Sequence, residues 1–68
     1  MRRVRVVARE IKDDKDGYPI VTTEVRSDYE GELLAIVGLA GRVVYVVAKD
    51  DGSVVEESQH EWKKISLV

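Results

Sequence analysis

The sequence of 68 residues contains no cysteine and no phenylalanine, and it has a single tryptophan and a single histidine. Without cysteine, neither a disulfide framework nor a cysteine zinc site can reinforce so small a fold. The strongly apolar runs are short and interrupted by glycine and arginine, which excludes a helix long enough to span a membrane. No apolar segment follows the basic start, so we expect no signal peptide, no membrane association and a cytoplasmic location.

The charge balance is slightly acidic, with a net charge of −2 and charged residues at 35% of the chain. This balance indicates a soluble surface and argues against a general nucleic-acid binder. The length predicts a single domain, residues 1–68, with a thin stability margin. Self-association would increase that stability, and a symmetric dimer is the oligomer that we expect. The lack of asparagine and phenylalanine, with heavy use of valine, indicates a thermophilic source or a designed sequence.

The segment from Tyr29 to Lys49 carries most of the strongly apolar residues, and they come in doublets. Successive doublets start three or four residues apart, which is the recurrence of an α-helix. Ser27 and Glu30 also have the spacing of a capping box at a helix N-terminus. The pattern predicts a long helix whose broad apolar face holds Leu33, Ile36, Val37, Ala40, Val43, Val44 and Val47.

The same segment supports a second interpretation as β-structure. Arg42 to Ala48 is dense in β-branched residues, and the three glycines of the segment would each cost a helix interior about 1 kcal/mol. In this alternative Gly41 starts a strand, Lys49 to Ser53 turns it and Ser53 to Ser58 returns. The chain would then be an all-β small barrel of five strands, SH3-like or OB-like.

The first part of the chain predicts a β-hairpin. Arg3 to Ile11 has the alternation of a strand, Lys12 to Gly17 is a polar loop, and Tyr18 to Arg26 is a second strand. A register with Ile11 opposite Tyr18 pairs apolar residues on one face, which includes Val4, Val6 and Ala8. After the long helix, Ser53 and Glu56 repeat the capping-box spacing and predict a short second helix. The preferred fold class is therefore α+β, a β-hairpin followed by a long helix and a short helix.

Two resemblances accompany these patterns. The charged hairpin, which runs into VTTEVRSDYEGELLAIV and the long apolar segment, resembles short uncharacterised proteins of phage and prophage gene sets. This resemblance covers most of the chain, implies the architecture of a hairpin and two helices, and implies no catalytic residue. The segment GRVVYVVAKDDGSVVEESQHEWKKISLV, taken as a hairpin, a short turn and a last strand, is similar to SH3-like barrels.

No motif in the sequence points to catalysis, so we expect no enzyme, no cofactor and no metal. His60 has no clear partner, and no serine is accompanied by a recognisable base. The aspartate-rich segment from Asp13 to Gly17 is similar to a calcium loop, but Lys12 and Thr23 stand at two ligand positions. A solvated turn is the simpler interpretation of that segment.

The candidate binding residues are four arginines and the tryptophan: Arg3, Arg5, Arg9, Arg26 and Trp62. Arginines on a two-stranded ribbon can enter a DNA major groove, although Glu24 and nearby acids would neutralise such a face. Trp62 is either a core residue or an interface anchor. The sequence predicts a small non-catalytic interaction or regulatory module that self-associates and binds another macromolecule. The alternative is a nucleic-acid-binding module that uses the arginine face of the hairpin.

Overall fold

The computed structural model describes residues 2–68, apart from the side chain of residue 39. These residues form one antiparallel sheet of five strands in the order β4-β3-β2-β1-β5. The first four strands follow one another as a meander, and the last returns to the outer side of the first. The strands are β1 (Arg2–Asp13), β2 (Pro19–Leu39), β3 (Arg42–Lys49), β4 (Val54–Glu57) and β5 (Lys63–Leu67).

The sheet curls so that its two outermost strands approach each other. Lys63 Nζ on β5 lies 2.7 Å from Glu57 Oε1 on β4, although these strands stand at opposite ends of the sheet order. The concave side encloses a small apolar core, in which Val4, Val6 and Val47 are the most completely buried side chains. The result is an incompletely closed barrel, in which an ion pair bridges the gap between the edge strands.

The predicted long helix is wrong, because residues 29–49 form most of a β-hairpin. β2 runs to Leu39, Ala40 and Gly41 make the turn, and β3 returns. Both turn residues have positive φ, 48° for Ala40 and 79° for Gly41, which is the geometry of a tight two-residue hairpin turn. Of the residues placed on the helix face, Val44 and Val47 are buried, whereas Ile36 and Val43 are well exposed.

A β-bulge in β2 lies within the segment whose spacing predicted a helix. Leu33 pairs with Val47, but the next pair is Ala35 with Val46, so Leu34 is an extra residue in β2. An extra residue restarts the two-residue alternation one position later. The bulge accounts for the doublet Leu33–Leu34. The doublets Ile36–Val37 and Val43–Val44 lie in regularly paired parts of β2 and β3, where adjacent residues point to opposite faces of the sheet. Counting periods cannot distinguish such a run of doublets from a helix.

The predicted short helix is wrong as well, since its residues form β4, a turn and β5. Asp51 Oδ1 accepts hydrogen bonds from the backbone N–H and the hydroxyl of Ser53, so Ser53 belongs to a turn and caps no helix. The all-β alternative with five strands is confirmed, including its turn after Lys49 and its returning strand. The α+β fold class is therefore replaced by an all-β one.

The N-terminal hairpin is present, but the predicted register is wrong. Val4 lies opposite Gly31, far along β2 from the expected Val25, and Ile11 lies opposite Val21. The prediction that Val4, Val6 and Ala8 share one core-facing side is confirmed, because all three are buried. The register differs because the turn closes between Asp13 and Pro19, and because two irregularities then place extra residues in β2. The paired part of the hairpin therefore extends into the long apolar segment.

The distal half of this hairpin, residues 9–26, projects from the barrel, and we call it the arm. β5 pairs only with Val4 to Ala8, and β3 pairs with β2 only from Gly31 onwards, so the arm has no third strand beside it. The radius of gyration is 13.6 Å, against about 11 Å for a compact chain of this length. The molecule is thus a small barrel with a two-stranded extension.

Candidate binding groove at the base of the arm

The five candidate binding residues separate into two groups in the structure. Arg3 and Arg5 lie on the convex face of β1, where acidic side chains neutralise them. Arg3 Nη2 is 3.1 Å from Asp50 Oδ2, and Arg5 Nε donates to Asp28 Oδ1 at 2.8 Å. The hydrogen bond from Arg5 holds the pKa of the Asp28 carboxyl below its usual value. This face is therefore a network of exposed ion pairs.

Arg9, Arg26 and Trp62 form the second group, and they meet at one groove. A cavity of about 300 Å³ at the base of the arm is lined by Arg9, Glu10, Ile11, Arg26 and Trp62. A neighbouring recess shares Arg26 and Trp62 with it and continues towards Lys63. Spacing along the chain does not predict this meeting, because Trp62 is far from both arginines in the sequence.

Two β-bulges at the base of the arm build the groove. Ala8 pairs with Ser27 and Arg9 pairs with Val25, which leaves Arg26 as the extra residue in β2. A bulge bends its strand and redirects the side chain of the extra residue. A second irregularity follows between Arg9 and Ile11. The bend turns the arm away from the barrel and opens the space that Arg26 borders.

The turn between β4 and β5 closes the other side of the groove. The backbone N–H of Arg9 donates to the carbonyl of Trp62 at 2.7 Å, so this turn is attached to the base of the arm. The Trp62 ring stacks on His60, with centroids 4.9 Å apart and planes within 5°. The Lys63 ammonium lies 4.8 Å from the Trp62 centroid. The indole is thus held between neighbours and only half-buried.

The groove is basic, because its two guanidinium groups have no carboxylate within ion-pair distance among residues 2–68. Arg9 Nη1 donates instead to the backbone carbonyl of Thr23 at 3.0 Å. Glu10 adds one carboxylate to the lining, and this carboxylate interacts with Glu24 on the neighbouring strand. The groove offers charged donors next to an aromatic surface, which suits the binding of a polar, anionic segment.

A half-buried polar cluster, which the sequence did not reveal, links the two edge strands of the barrel. The Tyr29 hydroxyl donates to Glu57 Oε2, and Lys63 Nζ donates to Glu57 Oε1 at 2.7 Å. The Lys49 ammonium lies 4.8 Å from the Tyr29 ring centroid. Burial alone would raise the pKa of Glu57, but the hydrogen bonds from Lys63 and Tyr29 outweigh burial and lower it. Burial and the Glu57 carboxylate raise the pKa of Tyr29.

This polar cluster is a structural clasp between the two edge strands. All buried side-chain polar atoms in the described part of the chain have partners. No group of three histidine or acidic side chains in residues 2–68 is arranged to hold a metal ion. In the aspartate-rich turn, Asp14 Oδ1 accepts from the backbone N–H groups of Asp16 and Tyr18, so that carboxylate stabilises the turn itself.

Comparisons with protein-family models, with curated proteins and with solved structures gave no match. A search of the described residues for a helix that is long and apolar enough to cross a membrane found none.

Proposed function

We propose that this protein is a small non-catalytic interaction module, which binds another macromolecule at the groove and also self-associates. One observation carries the proposal. Arg9 and Arg26 border an open groove beside the half-buried Trp62, and neither guanidinium has an acidic partner among the described residues. Tryptophan and arginine are the side chains most enriched at the energetic centres of protein interfaces.

The partner that fits this groove is an acidic protein segment with an apolar side chain. Guanidinium groups bind carboxylates through paired, charge-assisted hydrogen bonds. The indole of Trp62 and the side chain of Ile11 supply apolar surface in the same groove. A segment with one or two carboxylates beside an aliphatic residue would use both properties at once.

The second candidate, nucleic-acid binding through the arginine face, is disfavoured by the ion pairs on that face. Arg3 contacts Asp50 and Glu30, and Arg5 contacts Asp28. A phosphate backbone would have to displace these carboxylates and would meet their negative charge nearby. We therefore expect no duplex binding at physiological salt, either from the parent or from the arginine-to-glutamine triple variant at Arg3, Arg5 and Arg9.

The fluorescence of Trp62 tests the groove directly, because it is the only tryptophan in the chain. The protein is titrated with a short glutamate-rich peptide that contains one leucine and no tryptophan. We expect a saturable change in emission, and the Arg26→Gln variant should bind about tenfold more weakly, as expected for one lost charge-assisted hydrogen bond. Arg42→Gln is the matched control, since Arg42 is exposed on β3 and does not line this groove.

Two probes give the opposing outcomes. A peptide of equal length with glutamines in place of glutamates should not bind, and equal binding of both peptides would contradict the charge recognition. Random duplex DNA should produce no change in emission at physiological salt. A response to duplex that falls steeply as salt is raised would instead establish the nucleic-acid alternative, because phosphate contacts release counterions.

A further inference from the structure

The arm exposes several large apolar side chains to solvent. Ile11 is 43% exposed, Val21 39% and Val25 53%. An isolated hairpin of two strands is marginally stable in water and needs further packing on one face. The barrel does not supply this packing, since β3 and β5 pair with other parts of β1 and β2.

The two faces of the arm differ in how their charged and polar side chains are paired. On one face, Lys12 Nζ lies 3.2 Å from Glu24 Oε2, and the Thr22 hydroxyl donates to the Glu10 carbonyl at 2.9 Å. The opposite face is set by the pairs Arg9 with Val25, Ile11 with Val21 and Asp13 with Pro19. We call this second face the graded face, because it runs from a basic base through an apolar middle to an acidic tip.

The graded face is complementary to itself when a second copy is laid on it in the opposite direction. Arg9 of each copy then meets Asp13 of the other, and Ile11 and Val21 meet their own counterparts at the centre. A two-fold axis through the middle of the arms relates the copies, so one patch serves both subunits. In a parallel arrangement like charges would face each other, which fixes the direction of pairing.

We propose that the arm is a self-recognition element, and that two copies of this chain associate through their graded faces with the arms antiparallel. This inference rests on the self-association in the proposed function and names the surface that mediates it. An acidic segment bound at the groove would pair with Arg9 but would leave Asp13 at the tip without a partner. A second copy satisfies both charges and covers the apolar middle in one contact.

The outer edges of β4 and β5 fit a second copy less well than the graded face does. On β5, Lys63 exchanges backbone hydrogen bonds with His60, and the Ile65 N–H lies 3.4 Å from Gln59 Oε1, so this edge is largely occupied. On β4, Glu56 is exposed, and pairing β4 with its own copy would bring two such carboxylates together. Acidic residues on an edge strand discourage pairing between like edges.

The size of the arm predicts a weak and reversible dimer. From Arg9 to Asp13 the strand spans only about 15 Å, so two graded faces bury less than the roughly 800 Å² per partner of a standard interface. Self-association should therefore depend on protein concentration and on salt. A charge-reversal experiment tests the pairing, with sedimentation equilibrium as the measurement and circular dichroism as the check on folding.

Arg9→Asp makes both ends of the graded face acidic, and Asp13→Arg makes both ends basic. Each single variant should dimerise at least about tenfold more weakly than the parent, because like charges then face each other twice. An equimolar mixture of the two variants should form a heterodimer, and the double variant in one chain should dimerise again. Lys12→Glu, on the opposite face of the arm, is the matched control and should leave the parent dimer intact.

The outcomes separate this inference from the proposed function. Dimerisation that persists unchanged in both single variants, or no recovery in the mixture and the double variant, would overturn the graded face as the interface. A parent that remains at the monomer mass of 7.7 kDa at high protein concentration would also overturn it. The Asp13→Arg variant keeps every residue that lines the groove. Its binding of the acidic peptide, measured by Trp62 fluorescence, therefore tests the groove separately from dimerisation.

Discussion

The proximal half of the β1–β2 hairpin belongs to the barrel, and its distal half is the arm. The two halves bury their side chains to very different extents. In the barrel, Val6 on β1 has no exposed surface, whereas Val25 in the arm is 53% exposed. Val6 lies in β1 and Val25 lies in β2, and these two strands have similar compositions. The difference arises because β5 and β3 flank the proximal half and curl it into a barrel, whereas no further strand of the described chain pairs with the distal half.

The comparison shows that a chain of this length can bury only part of its strands in a core. A small domain buries a low fraction of its surface, and one curled sheet uses most of the strands that the chain can form. The barrel satisfies its polar groups internally through the clasp of Tyr29, Glu57 and Lys63. The arm leaves its base, middle and tip chemically distinct and exposed, which is the arrangement that a partner can recognise.

The largest difference between the two halves should appear when a charge is placed in each. Val6→Asp buries a carboxylate without a partner and should unfold the protein, since that cost is comparable with the roughly 3–10 kcal/mol of total stability for this length. Val21→Asp, in the arm, should leave the barrel folded. Urea denaturation followed by Trp62 fluorescence measures both, and unfolding of the Val21 variant in dilute solution would show that the arm belongs to the core.

Substitution of two glycines, one in a close contact and one in open space, should show a smaller effect on stability. A Cβ atom on Gly31 would lie 2.6 Å from the Ala48 carbonyl oxygen and 2.7 Å from Val47 Cγ1, because β3 approaches β2 closely there. Gly31→Ala should therefore destabilise the barrel by about 1–3 kcal/mol. Gly38→Ala is the control, since a Cβ atom there meets nothing within 4 Å. Equal stability of the two variants by thermal denaturation would contradict the close approach.

The clasp makes the stability of the barrel sensitive to acid. The folded-state pKa of Glu57 is lowered, so its carboxylate stabilises the fold above the unfolded value of about 4.3. That contribution is lost as the pH falls through the folded-state pKa. Glu57→Gln should cost about 1–3 kcal/mol near neutral pH, and the difference from the parent should shrink at lower pH.

Glu56→Gln on the same strand is the control for the clasp, because Glu56 is exposed and makes no ion pair among the described residues. Its urea midpoint should follow that of the parent from neutral to acidic pH. A Glu57→Gln variant whose midpoint also follows the parent at every pH would show that the clasp does not stabilise the closed barrel.

The parts of this fold that could be predicted from the sequence are those that depend on neighbouring residues. The alternation of Val4, Val6 and Ala8 correctly indicated a strand with one core face, and the turn after Lys49 was recognised in the all-β alternative. The apolar doublets, one of them at the extra residue Leu34 and the others in regular parts of β2 and β3, led to the wrong helix. A bulge has no reliable local signature, so periodicity alone could not separate the two fold classes.

The candidate site was only half predictable for a related reason. Residue type singled out the arginines and the tryptophan, but their grouping depends on long-range pairing. The extra position of Arg26 in β2 and the return of β5 to β1 bring Arg26 and Trp62 to one groove. The same pairing places Arg3 and Arg5 among acids on the convex face. Neither arrangement can be derived from spacing along the chain.

Amide hydrogen exchange at two protein concentrations measures the contrast between barrel and arm most directly. At low concentration we expect strong protection of the barrel strands, including Val4 to Ala8, and rapid exchange throughout the arm, because its hydrogen bonds are exposed to solvent. At high concentration the arm amides should gain protection while those of the barrel do not change. An arm that is protected equally at both concentrations, or that exchanges rapidly at both, would contradict its role as an exposed element that associates with a second copy.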